Sequence, residues 1–185
     1  KESFTPVDQC KSKRLLSIGR LVEKKGFKFG IDAVATLIDS HPTLEYHIVG
    51  TGPREKFLQR RIEEYGLEES VHLLGNVTDE RLHQELEEAE IFVLPCVVAD
   101  NGDRDATPVV LKEAMAMKVP CISTKISGIP EIISDDEEGI LVESRNVDRL
   151  ADGIDRLLSR PNYKTRLTES AYERVSKQFA IENRI

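Results

Sequence analysis

The sequence predicts an α/β protein: a doubly wound parallel sheet of about six strands with helices on both faces. Two observations predict it. Short apolar runs alternate with longer amphipathic ones, the pattern of successive β-α-β units and a parallel sheet. Right-handed crossovers between such strands then distribute the helices over both faces. With 185 residues there is room for one domain with a real core.

Strands are expected at residues 15–18, 46–49, 71–74, 91–94, 121–123 and 140–142. Helical periodicity runs through 27–40, 54–65, 79–89 and 108–117, then through 147–158 and 163–179. Gly66 and Gly139 are expected to stop helices. Thr107 is a good N-cap, and Pro108 fits the first helical position, where its missing N–H is not needed. No internal repeat or low-complexity tract is visible.

Charged residues make up 32% and hydrophobic ones 39%, ordinary for a soluble globular protein. The net charge of −7 disfavours nucleic acid as a general partner. No apolar run approaches the ~20 residues needed to span a bilayer, and residues 1–6 lack the apolar core of a secretory leader. Cys10, Cys96 and Cys121 are odd in number and have no paired metal spacing, which fits a reduced, cytoplasmic setting.

In a doubly wound sheet, ligands bind outside the carboxyl ends of the strands. Gly19-Arg20, Gly50-Thr51-Gly52, Gly75-Asn76-Val77 and residues 95–107 all follow expected strands, so they share that edge. The segment from Asp105 to Glu113 sets one carboxylate just ahead of a helix start and one inside the helix. The free amides of Val109 and Val110 point out of the helix N-terminus, whose positive partial charge suits phosphate. An anion-binding helix end flanked by two acceptors for hydroxyl groups suits a phosphorylated polyol such as a nucleotide-sugar.

Arg20 and Lys25 are two cations able to clamp a diphosphate and stabilise it as a leaving group. Read from spacing alone, the usual fate of Glu23-Lys24-Lys25 is a solvated charged turn. Glu113 has Val109, Val110, Ala116 and Met117 as helical neighbours, and an ionised carboxylate there needs donors. Ribose hydroxyls would supply them; the plainer reading is an outward-facing Glu beside Lys112. Asp105 closes the acidic loop Asp100-Asn-Gly-Asp103-Arg104-Asp105, which is also a candidate solvated loop or weak calcium site. The loop lacks the glycine and closing Glu of an EF-hand, so no metal is expected. Gly50-Thr51-Gly52 lacks the third glycine of a dinucleotide fingerprint and follows the second strand, so no nicotinamide cofactor is expected either. His41, His47, His72 and His83 have no partnered nucleophile in sequence and are read as structural or surface residues. Gly128 and Glu131 are read as turn and helix-start residues.

The segment Asp105-Ala-Thr-Pro-Val-Val-Leu-Lys-Glu113 resembles the Glu-x(7)-Glu motif of retaining glycosyltransferases of family 4, in the sugar-nucleotide half of the GT-B fold. Leu15-Leu-Ser-Ile-Gly19-Arg20 with Glu23-Lys-Lys25-Gly26 is similar to the family's strand–Gly-Arg–Lys-Gly opening. Ile48-Val-Gly50-Thr-Gly52-Pro53, Leu74-Gly75-Asn76-Val77 and Ser127-Gly128-Ile-Pro130-Glu131 resemble its later loops, in the family's order. Asp105 stands where the motif usually carries Glu, one methylene longer.

The resemblance implies a Rossmann-like donor-binding domain over residues 14–185, preceded by an interdomain linker at 1–13, with the N-terminal acceptor domain absent from this chain. It implies catalytic roles for Arg20, Lys25, Asp105 and Glu113, with phosphate on the cations, donor sugar on Asp105 and ribose on Glu113. Gly19, Gly50, Gly52, Asn76, Val77, Thr107, Pro108, Val109 and Val110 would line the donor pocket. The expected activity is metal-free, retaining transfer of a hexose from a nucleotide-diphosphate sugar to a saccharide or lipid-linked acceptor. Membrane association would come through the other domain, at the inner face, and the domain alone is expected to be inactive. A GT-B epimerase or phosphorylase and a non-catalytic nucleotide-sugar-binding module are the rival readings.

Overall fold

The computed structural model of the chain describes residues 13–182. The expected linker at 1–13 lies outside these residues apart from Lys13, as does Cys10. Six strands form one sheet: β1 (Lys13–Ile18), β2 (Leu44–Val49), β3 (Val71–Gly75), β4 (Ile91–Leu94), β5 (Cys121–Thr124) and β6 (Ile140–Val142). Every pairing is parallel, and the spatial order is β3-β2-β1-β4-β5-β6. The order reverses between β1 and β4, where Leu15 pairs with Tyr46 on one side and Ile91 on the other. Such a reversal leaves a crevice at the carboxyl ends of the two strands.

The strands form because they are apolar on both faces, as a sheet covered on two sides requires. All residues of β4, β5 and β6 are buried, whereas the edge strand β3 buries only Val71 fully. Helices cover the two faces: α1 (Phe27–Leu37), α2 (Glu55–Glu64), α3 (Asp79–Glu88), α4 (Val109–Ala116), α5 (Ile129–Ile132), α6 (Val147–Ser159) and α7 (Pro161–Glu182). α1 packs against α2 and α6, and α4 against α7. Side-chain caps fix two helix starts. Thr78 accepts from the Arg81 amide at 3.2 Å and Asn146 from the Arg149 amide at 3.0 Å.

Several expected boundaries shift. α1 stops at Leu37, because the Ser40 and His41 amides both turn back to the Leu37 carbonyl ahead of Pro42. α4 begins at Val109, and Thr107 does not cap it; Pro108, with extended backbone, takes the cap position. The Gly128 amide binds the Ala106 carbonyl at 2.9 Å and ties this stretch to the loop after β5, which delays the helix. Gly66 does end α2, at φ +63, but Gly139 ends no helix and leads a turn into β6. A 3₁₀ turn at Glu23–Lys25 and the one-turn α5 are too short to leave a periodic signal. Gly128 and Glu131 do start α5.

The histidines are structural or peripheral. His41 joins Asp155 of α6 at 2.7 Å, and exposed His83 joins Glu87. His47 on β2 belongs to a buried charge network that seats α3. Its Nδ1 lies 2.8 Å from Glu85, which also accepts from Arg81 at 2.6 Å and lies 3.5 Å from Arg14 of β1. Arg14 reaches Glu88 as well, Glu45 lies 3.9 Å from His47, and His72 stacks edge-on against its ring. Burial holds His47 below its ordinary pKa, outweighing the Glu85 hydrogen bond. Burial alone would raise Glu85, but hydrogen bonds from Arg81 and His47 hold it below its ordinary range.

Both shifts destabilise the fold on acidification. A depressed histidine contributes stability above its unfolded value of 6.5 that is lost as pH falls through the lower folded value. Glu85 adds a second loss below its ordinary 4.5. Melting temperature measured from pH 8 down to about pH 2.5 should therefore fall toward acid in two stages. His47→Gln should remove the upper one; an unchanged profile in that variant would assign the first stage elsewhere.

Candidate functional site

The loops at the carboxyl ends of the strands are joined by an unbroken set of hydrogen bonds. The Gly19 and Leu21 amides after β1 bind the carbonyls of Val49 and Thr51 at 2.9 Å each, fixing this loop to the one after β2. The Gly50 amide binds the Gly75 carbonyl after β3, and the Val97 amide after β4 binds the Lys24 carbonyl. Gly128 after β5 binds Ala106, and the Arg145 guanidinium after β6 binds the Val98 carbonyl at 2.8 Å. All six strand ends thus share one polar rim.

Two glycines let backbones touch there. Gly26 has φ +68, and a Cβ on it would stand 1.9 Å from the Pro95 carbonyl oxygen. Gly50 has φ +135, and its Cβ would stand 1.9 Å from the Gly19 oxygen. No other residue type fits either place without moving the opposite loop.

The close approach of Gly26 to Pro95 brings Lys25 to Asp105 across the β1/β4 reversal. Lys25 Nζ lies 2.5 Å from Asp105 Oδ2, and both side chains are 15% exposed. The Lys25 stem lies along Gly19, whose Cβ would stand 3.2 Å from Lys25 Cε. Lys24 lies 3.6 Å from Asp105 and 3.3 Å from Asp103, and the Asp103 hydrogen bond, followed by the two acidic charges, raises its pKa. Cys96 Sγ approaches Asp105 at 3.9 Å; burial and then the Asp105 charge push this thiol up to about 12, so it is no nucleophile.

Arg20 and Glu113 are exposed and make no ion pair among the described residues. Asn76 and Thr107 are also exposed, Val77 and Val110 are half-buried, and Pro108 is buried. Gly52 packs on Leu21, where a Cβ would meet the Leu21 oxygen at 2.6 Å. On α4, Val109 and Glu113 are one turn apart on an open face, and Val109 is 63% exposed. The structure therefore joins Gly19, Lys25, Gly50 and Asp105 by direct contact. It places Arg20, Asn76, Thr107 and Glu113 on exposed surface without polar side-chain partners among the described residues. Sequence reading gave no role to Lys24 or Arg145, which have no motif of their own. The doublet Lys24-Lys25 was the one available signal for the first.

The chain matches the family "Glycosyl transferases group 1" over residues 2–174. It belongs to that family. This glycosyltransferase domain is 40% identical over 138 residues to the amylovoran biosynthesis glycosyltransferase AmsK of Erwinia amylovora, covering 75% of this chain and 34% of that one. The chain spans about a third of the length of the first curated relatives it matches. Among solved structures, the C-terminal domain of the group 1 protein LpcC from Francisella tularensis superposes with a TM-score of 0.78 at 25% identity, over 90% of this chain and 86% of that one. Anabaena HepE, in complex with UDP and glucose, superposes with a TM-score of 0.81 at 22% identity, over 91% of this chain and 45% of that one. The six-stranded sheet is thus the Rossmann-like C-terminal domain of the GT-B fold.

Backbone contact across this rim gives a direct test. Gly50→Ala, which meets the Gly19 carbonyl, should cost about 3 kcal/mol or more and lower the melting temperature by roughly 6 °C or more. Gly66→Ala, also at positive φ but with nothing within 4 Å, should cost only ~1 kcal/mol. Equal losses would mean that conformation, not loop contact, makes Gly50 necessary.

Proposed function

We propose that this domain binds the nucleotide-sugar donor of a retaining GT-B glycosyltransferase of family 4, and that it acts with an acceptor-binding domain outside this chain. The observation that carries the reading is the Lys25–Asp105 pair across the strand-order reversal. It lies on the rim that Arg20 shares, and the loop bearing Asp105 runs into the two free amides that open α4. A diphosphate on Arg20, Lys25 and the Val109 and Val110 amides would meet two side-chain charges and a helix N-terminus. HepE, of the same fold, holds UDP and glucose in its complex, which supports this ligand class.

In this reading the anomeric C–O bond breaks and its electron pair leaves on the diphosphate. The acceptor hydroxyl attacks the anomeric carbon from the same face, and its proton passes to the departing diphosphate oxygen. Arg20 and Lys25 offset the growing negative charge, Asp105 accepts hydroxyl hydrogens from the sugar, and Glu113 accepts them from the ribose. Asp105 serves two partners, orienting Lys25 while holding the sugar. The cations do the work a metal would do elsewhere, so the proposed reaction is metal-free. Gly50, Gly52, Asn76 and Val77 line the base pocket, largely through backbone. The acceptor is a saccharide or a lipid-linked saccharide in the cytoplasm, with any membrane association supplied by the other domain.

Thermal stability of the chain with UDP-, GDP- and ADP-sugars tests this, with NAD as control. A ligand at about 100 times its dissociation constant adds roughly 2.7 kcal/mol, or a rise of ~5–10 °C. One nucleotide class should raise the melting temperature, and Arg20→Ala and Glu113→Ala should abolish the rise. In the full-length protein Arg20→Ala should lower turnover ~100-fold or more. Near-normal transfer by that variant would end the assignment. Donor binding without transfer or hydrolysis by the full-length protein would favour a non-catalytic module.

A further inference from the structure

We infer that Arg145, in the turn after the edge strand β6, is a positioning residue for the donor site: it holds the loop that carries Asp105 against the Lys25 turn. Three observations support the inference, which rests on the donor reading for its functional consequence. The first is its reach. The guanidinium donates to the Val98 carbonyl at 2.8 Å and lies 3.7 Å from both Glu23 and Asp100. Glu23 in turn accepts from the Asp100 amide at 3.1 Å, so one side chain ties together loops from three strands. The second is its backbone. Arg145 has φ +62, a left-handed conformation that glycine adopts without strain and arginine does not. A non-glycine residue there needs a compensating gain from its side chain.

The third observation is what lies beneath the loop. Val97 is buried, but it and Asp100, with Arg145, Phe29, Arg54 and Phe57, line a pocket of about 210 Å³ on one side. On the pocket side the loop lacks dispersion contacts to fix it. Polar ties supplement the packing of Val97 and Ala99 there: Val97 to Lys24, Asp100 to Glu23, and Arg145 to Val98. Arg145 touches neither Lys25 nor Asp105. It acts through the loop between them.

Arg145→Gly is the informative variant, because glycine suits φ +62 and the fold should survive. Hydrogen exchange on the chain should show the amides of residues 98–105 exchanging roughly threefold to tenfold faster, with the sheet unchanged and the melting temperature nearly so. The dissociation constant for the nucleotide-sugar that stabilises the wild type should rise by a similar roughly threefold to tenfold factor, since the open loop must be ordered on binding. Arg145→Lys, which cannot reach three acceptors at once, should fall between. Unchanged exchange at 98–105 overturns the inference, as does faster exchange spread over the whole sheet. Faster loop exchange with an unchanged dissociation constant refutes the positioning role. If the wild type binds no nucleotide-sugar, the donor reading fails, and the exchange result alone decides whether Arg145 holds the loop.

Discussion

The approach of Gly26 to Pro95 is the contact on which the site depends. A parallel sheet of order β3-β2-β1-β4-β5-β6 sends the chain outward in opposite directions from β1 and β4, which opens a gap above them. Only a residue without a Cβ lets the two loops close that gap backbone to backbone. Once they meet, the Val97–Lys24 hydrogen bond fixes their register, and Lys25 and Asp105 fall at 2.5 Å. The ion pair is a consequence of backbone packing rather than its cause. A largely covered pair of this kind adds little net stability, because the cost of desolvating both charges offsets their attraction. Their value here is that both groups are held in place before a ligand arrives.

Charge is distributed to the same end. The chain carries −7 overall, yet Arg20, Lys24, Lys25 and Arg145 sit in the loops of one edge. The acidic loop after β4 balances them through Asp100, Asp103 and Asp105. Unbalanced cations this close would repel one another and splay the rim; paired cations hold it. Under the proposed function, an incoming diphosphate would compete with a carboxylate for Lys25 and meet none at Arg20 among the described residues. In that reading Asp105 in place of Glu would keep the competition local, because its side chain is one methylene shorter.

The strands were legible because a sheet covered on both faces writes itself as apolar runs, and all six fell where those runs stood. Helix ends were less legible, since tertiary contacts move them. Thr107 is a good cap by type, but the tie from Gly128 to Ala106 holds the chain extended past it. The site was legible in pieces. Arg20, Lys25, Asp105 and Glu113 could each be picked out by motif, while the salt bridge from Lys25 to Asp105 could not, because it joins residues from loops far apart in sequence. Arg145 left no trace at all. Its position is set by a left-handed turn that carries no glycine, and its partners are a carbonyl and two acids from other loops.

What the domain exposes bears on what it does. A site that acted alone would bury its polar groups against its own chain, since charges on opposite walls gain strength only when water is excluded. Here Lys25 and Asp105 are nearly covered, whereas Arg20 and Glu113 are open to solvent. Val109 is 63% exposed at the helix start and Val98 is 37% exposed on the strutted loop, both large apolar side chains left uncovered beside the charges. Apolar and ionic groups exposed together on one rim suit contact with a second surface. The relatives are roughly twice as long as this chain, so they have the material for an opposing wall. A donor resting on this rim would be bound by its phosphates but still wet at the anomeric carbon, where hydrolysis competes with transfer. Closure of a second surface over Val109 and Glu113 would exclude that water and present the acceptor in one step, so the proposed function gives the grip on the donor to this domain and the chemistry to a pair of domains.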